Sequence, residues 1–465
     1  MEHLFKFLSF SSVGLLVLVL IAATLLESVF GSSFAIDNVY HSLWFIALWS
    51  SLAVTAMLYI LRVSRRFTLL LLHVSFVVVL LGALVSFLTA SHGSMSVERQ
   101  GLPASMYTTA DGGLEKLPFR LCLTDIDTVY SAETASPVGY KAYIVADDKN
   151  ECTLHIISLN SPVRIKGYQF CIKGVADDNL SMLVSCDKYG CTISYMGYLL
   201  VFFSFVMLFF DRQSGFYSVL QQLRGKAVDE KVDRCVCYRT LIGRVLGVLA
   251  LPVILLAFLW YKRGVFPATN GVETLFLFAF VVIVIALLLR LIKRFSHLSN
   301  ALIVLAFAST VFAVYGLDWS GDVQPILRTP LLGVHVTTII IAYALIGCTA
   351  MNAVIALCSK DQKMRAAQAL LGRLLLYPAT MLLAAGIFIG AVWANISWGR
   401  YWGWDPKEVW ALVTLLVCSV AFHTRSLCFI SRPTAFHLFC IVAFISVLFT
   451  YFGVNHLLGG LHSYM

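Results

Sequence analysis

Apolar residues in this chain fall into blocks of about 20, the length that crosses roughly 30 Å of hydrocarbon at 1.5 Å per residue. Eleven blocks predict membrane-spanning helices, near residues 8–26, 42–61, 68–90, 194–211, 243–260, 272–290, 299–316, 332–358, 374–395, 408–424 and 435–453. The first block follows Lys6 as a signal peptide would. No clear small-x-small cleavage site precedes the next block, so it reads as a retained span. Segment 91–192 breaks the pattern. Its β-prone runs 141–146, 152–159 and 163–173 lie between turn signals at Ser161-Pro162, Asp177-Asp178-Asn179 and Tyr189-Gly190. The pattern predicts an all-α polytopic membrane protein of about eleven transmembrane helices with a small, mostly-β domain.

Five segments follow: three helices over 1–90, the β-rich domain over 91–193, a fourth helix over 194–211, a polar linker over 212–242 and a seven-helix part over 243–465. Composition agrees. Of 465 residues, 59% are hydrophobic and 13% charged, against about 25% charged in soluble domains, which excludes an ordinary soluble enzyme.

Lysine and arginine placement sets the expected orientation. With the N-terminus inside, inner segments hold 20 of the 34, outer short loops five, and segment 91–192 the other nine. The N-terminus is therefore expected in the cytoplasm, with the C-terminus, the β-rich domain and the loop around 393–410 outside it. The net charge of +9 is an inner-face signature and does not argue for nucleic acid.

Of twelve cysteines, five lie in the outer segment: Cys122, Cys152, Cys171, Cys186 and Cys191. They read as packing residues or structural disulfides, an odd number leaving at least one unpaired or intermolecular. Cys235 and Cys237 are spaced C-x-C on the inner side without a partner pair for zinc. There is no C-x-x-C, no C-x-x-C-H and no G-x-x-x-x-G-K-[ST], so the chain encodes no thioredoxin-like reductant, c-type cytochrome or P-loop.

Ionisable residues within spans are costly and mark function; here they are mostly histidines. His73, about 10 Å beyond Arg66 along a helix, and His423, two residues before Arg425, fall in the inner half of the bilayer. His335 and His462 fall at the outer face. Neutral imidazoles are good axial ligands for haem iron, and each of these can equally bond a neighbouring carbonyl. His437 competes for the inner site, and His41, His92 and His456 for the outer one; spacing does not choose among them. His3, His155 and His297 read as surface residues.

Residues 398–408 read Trp-Gly-Arg-Tyr-Trp-Gly-Trp-Asp-Pro-Lys-Glu, and five of nine tryptophans fall between Trp393 and Trp410. An interfacial aromatic belt does not explain this density. Flat rings on a glycine-jointed loop form a shelf for a flat apolar ligand, and Arg400 and Lys407 can meet its acidic groups.

This W-G-x-Y-W-x-W-D-P-K-E-x-W run resembles the "WWD" signature of membrane haem-handling proteins, and most closely the CcsA (ResC) subunit of System II cytochrome c biogenesis. Leu327–Val336 is similar to that family's first external histidine region. Gly453-Val454-Asn455 to Gly460-Leu461-His462-Ser463-Tyr464 is similar to its second, and His423-Thr424-Arg425 to its inner-site histidine. Glu27 to Trp49, His73, Pro118-Phe119, Ser158–Gly167 and Tyr195-Met196-Gly197-Tyr198 resemble the CcsB (ResB) partner. The whole resembles a CcsB–CcsA fusion.

That resemblance implies a holocytochrome c synthase of the bacterial plasma membrane, which exports haem b and joins its vinyl groups to the thiols of a C-x-x-C-H motif in apocytochrome c. It implies axial iron ligation by His73 and His423 inside and by His335 and His462 outside. Trp398, Arg400, Tyr401, Trp402, Trp404 and Trp410 would hold the ring, and Asp405 would join His335 and His462 as catalytic. Implied partners are haem, apocytochrome c, thioredoxin-like thiol reductants and membrane lipid. The alternatives are a haem transporter without synthase activity and a b-type electron-transfer subunit.

Overall fold

The computed structural model describes residues 2–64, 66–110, 112–130, 137–148, 151–176, 178–228, 252–262, 264, 266–290, 292, 295–315, 327–424 and 426–458. Three helices open the chain: α1 (Glu2–Phe30), α2 (Leu43–Val63) and α3 (Phe67–Thr89). Eight strands follow: β1 (Ser91–Glu98), β2 (Ala104–Thr109), β3 (Leu114–Tyr130), β4 (Pro137–Asp148), β5 (Glu151–Ser158), β6 (Val163–Ile165), β7 (Tyr168–Ala176) and β8 (Asn179–Cys186). Then come α4 (Gly190–Phe210), α5 (Gly215–Val228), α6 (Pro252–Lys262), α7 (Gly271–Arg290), α8 (Ser296–Tyr315), α9 (Pro330–Cys358), α10 (Gln362–Trp398), α11 (Pro406–Val420) and α12 (Pro433–Leu448). Residues Phe449–Leu458 continue α12 as a wider helix.

Among the described residues, nine helices are long and apolar enough to cross a membrane. Two of the eleven expected spans depart from this. Of 243–260, residues 243–251 lie outside the described residues, and α6 is a short apolar helix. The expected span 408–424 is the 15-residue α11, roughly 22 Å at 1.5 Å per residue. It is short because the tryptophan loop and the turn after Val420 occupy its two ends. Packed against α1, α10 and α12, it buries Val409, Trp410, Val413 and Cys418 against protein, so it need not match the hydrocarbon thickness.

The β domain is one antiparallel sheet in the order β5-β4-β3-β2-β1-β8-β7-β6. Ser158 and Ser161 exchange backbone hydrogen bonds and join β5 to β6, the two ends of that order, so the sheet curls on itself as a barrel does. Alternation builds its core: Leu117, Phe119, Leu121 and Leu123 on β3 point inward with the period of two that a strand imposes. The expected run 163–173 is two strands because Lys166 and Gly167 take left-handed conformations (φ 49° and 89°) in a tight turn.

The sheet is inserted between α3 and α4, which pack closely. A Cβ at Gly197 would lie 2.8 Å from the Val79 nitrogen, so only glycine lets the backbones approach to this distance. This pairing seats the sheet over the end of the bundle at which α10 ends and α11 begins.

Candidate functional site

At the end of the bundle away from the β domain, His73 on α3 meets His423 in the turn after α11. Their ring centroids are 6.3 Å apart and their planes 89° apart. Each ring is aimed by its own backbone. His73 Nδ1 donates to the Leu69 carbonyl at 2.8 Å and His423 Nδ1 to that of Ser419 at 3.0 Å. A carbonyl only accepts, so the proton sits on Nδ1 and Nε2 keeps the lone pair, the form that binds a metal. Two metal–nitrogen bonds of about 2 Å each, plus roughly 1 Å from nitrogen to ring centre on each side, span about 6 Å. The centroid separation therefore matches the spacing of two imidazoles that share one metal ion. Phe10 lies edge-on to His423 at 5.4 Å. The competitor His437 is packed on Phe436, and its Nε2 bonds the Arg365 carbonyl at 3.1 Å.

The tryptophan loop lies at the opposite end. Gly399 ends α10 in the left-handed conformation (φ 74°), its N–H donating to the Asn395 carbonyl at 3.0 Å. The Glu408 carboxylate accepts from the N–H groups of Gly403 at 2.8 Å and Asp405 at 3.3 Å. Asp405 is the N-cap of α11 within a capping box, which accounts structurally for its buried position. Trp404 takes φ 58°, a left-handed backbone rare for so bulky a residue. Tyr40 stacks on its ring at 4.5 Å and 7°, Phe45 meets it edge-on at 5.4 Å, and Trp402 at 5.8 Å. Trp398 lies edge-on to Trp393 at 6.4 Å, and Trp410 donates from its indole nitrogen to Thr24 at 3.1 Å.

Several groups here keep a spare polar edge. The indole nitrogens of Trp402 and Trp49 and the Tyr40 hydroxyl are buried and have no hydrogen-bond partner among the described residues. Tyr401 donates to Ser86 at 2.9 Å and accepts from Ser194 at 3.3 Å, and enclosure raises its phenol. Arg400 folds back on Gly403, and Lys407 donates to Asn455 at 3.0 Å.

Of the two histidines expected outside, His335 is described and His462 lies outside the described residues. The His335 ring is aimed by a hydrogen bond between Nδ1 and the Gly386 carbonyl at 2.7 Å and lies against Gly390. The competitors His41 and His92 come together beside Arg400. Enclosure and the Arg400 guanidinium hold the His92 imidazole below its ordinary range, His41 adding to this and Asp187 opposing it. His41 also meets Phe87 at 5.4 Å, and His456 is exposed.

The β domain rests on the end of α10. Gln169 donates to the Asn395 carbonyl at 2.6 Å and Ser397 to Asn160 at 2.7 Å, while Asn395 donates to Tyr195 at 2.9 Å. These bracing residues were missed in the sequence. A turn was legible at Ser161-Pro162, but a hydrogen bond across the fold has no signature in spacing.

All five cysteines of segment 91–192 are unpaired thiols. Burial pushes Cys171 and Cys186 up, which keeps them protonated; Cys171 and Cys191 are buried packing residues, whereas Cys152 is exposed. Cys235 and Cys237 lie outside the described residues, and no group of three metal-ligating side chains occurs among those described.

An α-helical membrane bundle with a paired-histidine site at one end and a tryptophan loop at the other, braced by a β-sheet domain, is the class of protein this geometry defines. Residues 62–189 match the ResB-like family, and residues 268–462 the family described as Cytochrome C assembly protein. The chain is 49% identical over 87 residues to Protein NrfI of Wolinella succinogenes, covering 18% of this chain and 9% of that one. It is 34% identical over 242 residues to the cytochrome c biogenesis protein CcsA of Chlamydomonas reinhardtii, covering 46% and 64%. With CcsA of Synechococcus sp. CC9605 the identity is 30% over 245 residues, covering 44% and 80%. The chain thus spans less than two thirds of the first two relatives. It belongs to the CcsA cytochrome c biogenesis family, is a multi-pass membrane protein, and carries a ResB-like part in the same chain, as a System II CcsB–CcsA fusion does.

Proposed function

We propose that this protein carries haem b across the bacterial plasma membrane and attaches it to apocytochrome c. The observation that carries this reading is the adjacent pair His73 and His423, one from each family-matched part, their rings 6.3 Å apart and both with Nε2 left as the ligating nitrogen. On this reading the N-terminus is cytoplasmic, and the β domain, tryptophan loop and C-terminus lie outside.

Haem is the cargo. His73 and His423 receive it at the inner side, and His335 with His462 hold the iron at the outer side. Trp398, Tyr401, Trp402, Trp404 and Trp410 shape a shelf for the ring. Arg400 and Lys407 meet the propionates, and the unpartnered indole nitrogen of Trp402 is a donor for the polar edge. Asp405 acts by holding the loop on α11.

In the attachment step each substrate thiol adds across a haem vinyl group. A carbon–sulfur bond forms, the thiol proton becomes a new carbon–hydrogen bond, and no electrons are gained or lost. The chain contributes orientation, which is worth much of the barrier in such a reaction. Two axial imidazoles exclude oxygen from the iron. The thiols belong to the C-x-x-C-H of the substrate and are kept reduced by separate thioredoxin-like proteins.

The test is to purify the chain in detergent, add haem and an apocytochrome bearing C-x-x-C-H under reducing conditions, and look for thioether-linked product. Product whose formation needs His335 and His462 supports the reading. A protein that binds haem but never forms the thioether is a haem carrier without synthase activity.

A further inference from the structure

One open cleft lies beside the histidine pair. It is lined by His3, Lys6, Phe7, Phe10 and Ser11 of α1 and by Leu427, with a volume of about 440 Å³. That falls within the roughly 300–1,000 Å³ of ligand sites. The five α1 residues follow the spacing i, i+3, i+4, i+7, i+8, one face of a helix. Such a face is normally covered by a neighbouring helix, yet Phe7 is 67% exposed.

The far wall is the histidine turn itself. The Leu427 N–H donates to the His423 carbonyl at 2.8 Å, and Ser426 bonds the Tyr59 hydroxyl at 2.6 Å. Phe10 closes the inner end, edge-on to His423 at 5.4 Å and to Tyr59 at 6.4 Å. Polarity is graded along the cleft. His3 and the cation Lys6 stand toward the start of α1, Phe7 flanks the open side, and Phe10 stands deeper, about 6 Å beyond Lys6 along the helix axis.

We infer that this cleft is the port through which a flat dicarboxylate tetrapyrrole reaches the His73–His423 pair, apolar edge first, with its acid groups trailing on Lys6 and His3. Phe10 is the gate. The argument is charge and shape complementarity: an amphipathic plate with both acids on one edge matches an open cleft with Lys6 toward its outer end and the Phe10 ring at its inner end. An ordinary lipid-facing stripe would place Lys6 among headgroups but would not put the next aromatic ring of the same face on the half-buried His423 imidazole. The inference rests on the histidine-pair reading and adds a route to it.

The experiment uses the full chain in detergent, haem and haem dimethyl ester as probes, and the growth of the six-coordinate absorption bands with time. Lys6→Glu is expected to slow loading of the free acid several-fold while leaving the ester rate, the final occupancy and the final spectrum as in the wild type. Phe10→Trp, which narrows the gate, is expected to slow both probes. The port is overturned if Lys6→Glu loads the acid at wild-type speed, if it slows acid and ester equally, or if Phe10→Trp changes neither rate. If the wild type develops no six-coordinate bands, or the His73→Ala, His423→Ala double variant develops them unchanged, the histidine-pair reading fails and takes the port with it.

Discussion

Tyr40 stacks on Trp404 with centroids 4.5 Å apart and planes 7° apart, and the Trp404 backbone it covers is left-handed at φ 58°. A bulky residue in that conformation costs of order 1–3 kcal/mol and persists only where its surroundings over-determine it. The surroundings here come from two directions. Glu408 takes the amides on either side of Trp404, and Tyr40 and Phe45, from the connector before α2 and its first turn, grip the ring. The first part of the chain thus sets the shape of the loop that belongs to the second.

Tyr40→Ala should therefore release the loop. The lost aromatic pair is worth about 0.5–1.5 kcal/mol, enough to lower the thermal midpoint slightly. Thioether formation should fall much further, because orientation is lost, while the inner-site absorption is retained. Tyr40→Phe keeps the stack and should keep activity. Product assay and spectrum on the same preparation check both.

His73→Ala and His423→Ala should each abolish the six-coordinate spectrum of the inner site, and the double variant should be no worse than either single one. Two ligands to one metal act as a unit, so their losses are not additive. Dithionite-reduced spectra of the three variants decide it.

Gly390 makes room for His335: a Cβ there would lie 2.5 Å from Cε1 and 2.7 Å from Nδ1 of the ring. Gly390→Ala should push the imidazole off the Gly386 carbonyl, at an overpacking cost of about 1–3 kcal/mol. Synthesis should fall while inner-site haem stays. Added imidazole, which substitutes for a displaced ligand, should partly restore product.

In the β domain, hydrogen bonds from Tyr107 and Ser91 hold the Glu115 carboxyl below its ordinary value of 4.5. A folded-state pKa below the unfolded one contributes stability above the unfolded value and loses it as pH falls through the folded value. Resistance of the domain to proteolysis should be flat above about pH 5 and decline below 4.5. Glu115→Gln should flatten that decline.

Much was legible in the residues themselves. Nine of the expected spans appear as helices because lipid leaves a backbone no partner but itself, so length and apolarity alone declare a crossing helix. His73 and His423 were legible as a candidate pair because ionisable residues are costly in that setting and stand out. The β-prone runs at 141–146 and 152–159 likewise announced the strands β4 and β5.

Other features depended on tertiary structure. The span expected at 408–424 is the short α11, since a helix walled by protein is released from the bilayer thickness that length arguments assume. His437 carries the same chemistry as His423 and was a rival for the inner site, but packing on Phe436 leaves it bonded to the Arg365 carbonyl while His423 lies edge-on to His73. Spacing could not separate the two, because chain positions so far apart are brought together only by helices crossing in space. The grip of Tyr40 on Trp404, the rest of Asn160 on Ser397 and the approach of Phe10 to His423 are of the same kind. Each joins residues with no periodic relation, so no local propensity records it. Sequence determined which chemistry was present and most of the stretches that would cross the membrane. Packing decided which groups meet, because contact energies act between neighbours in space, whatever their separation along the chain.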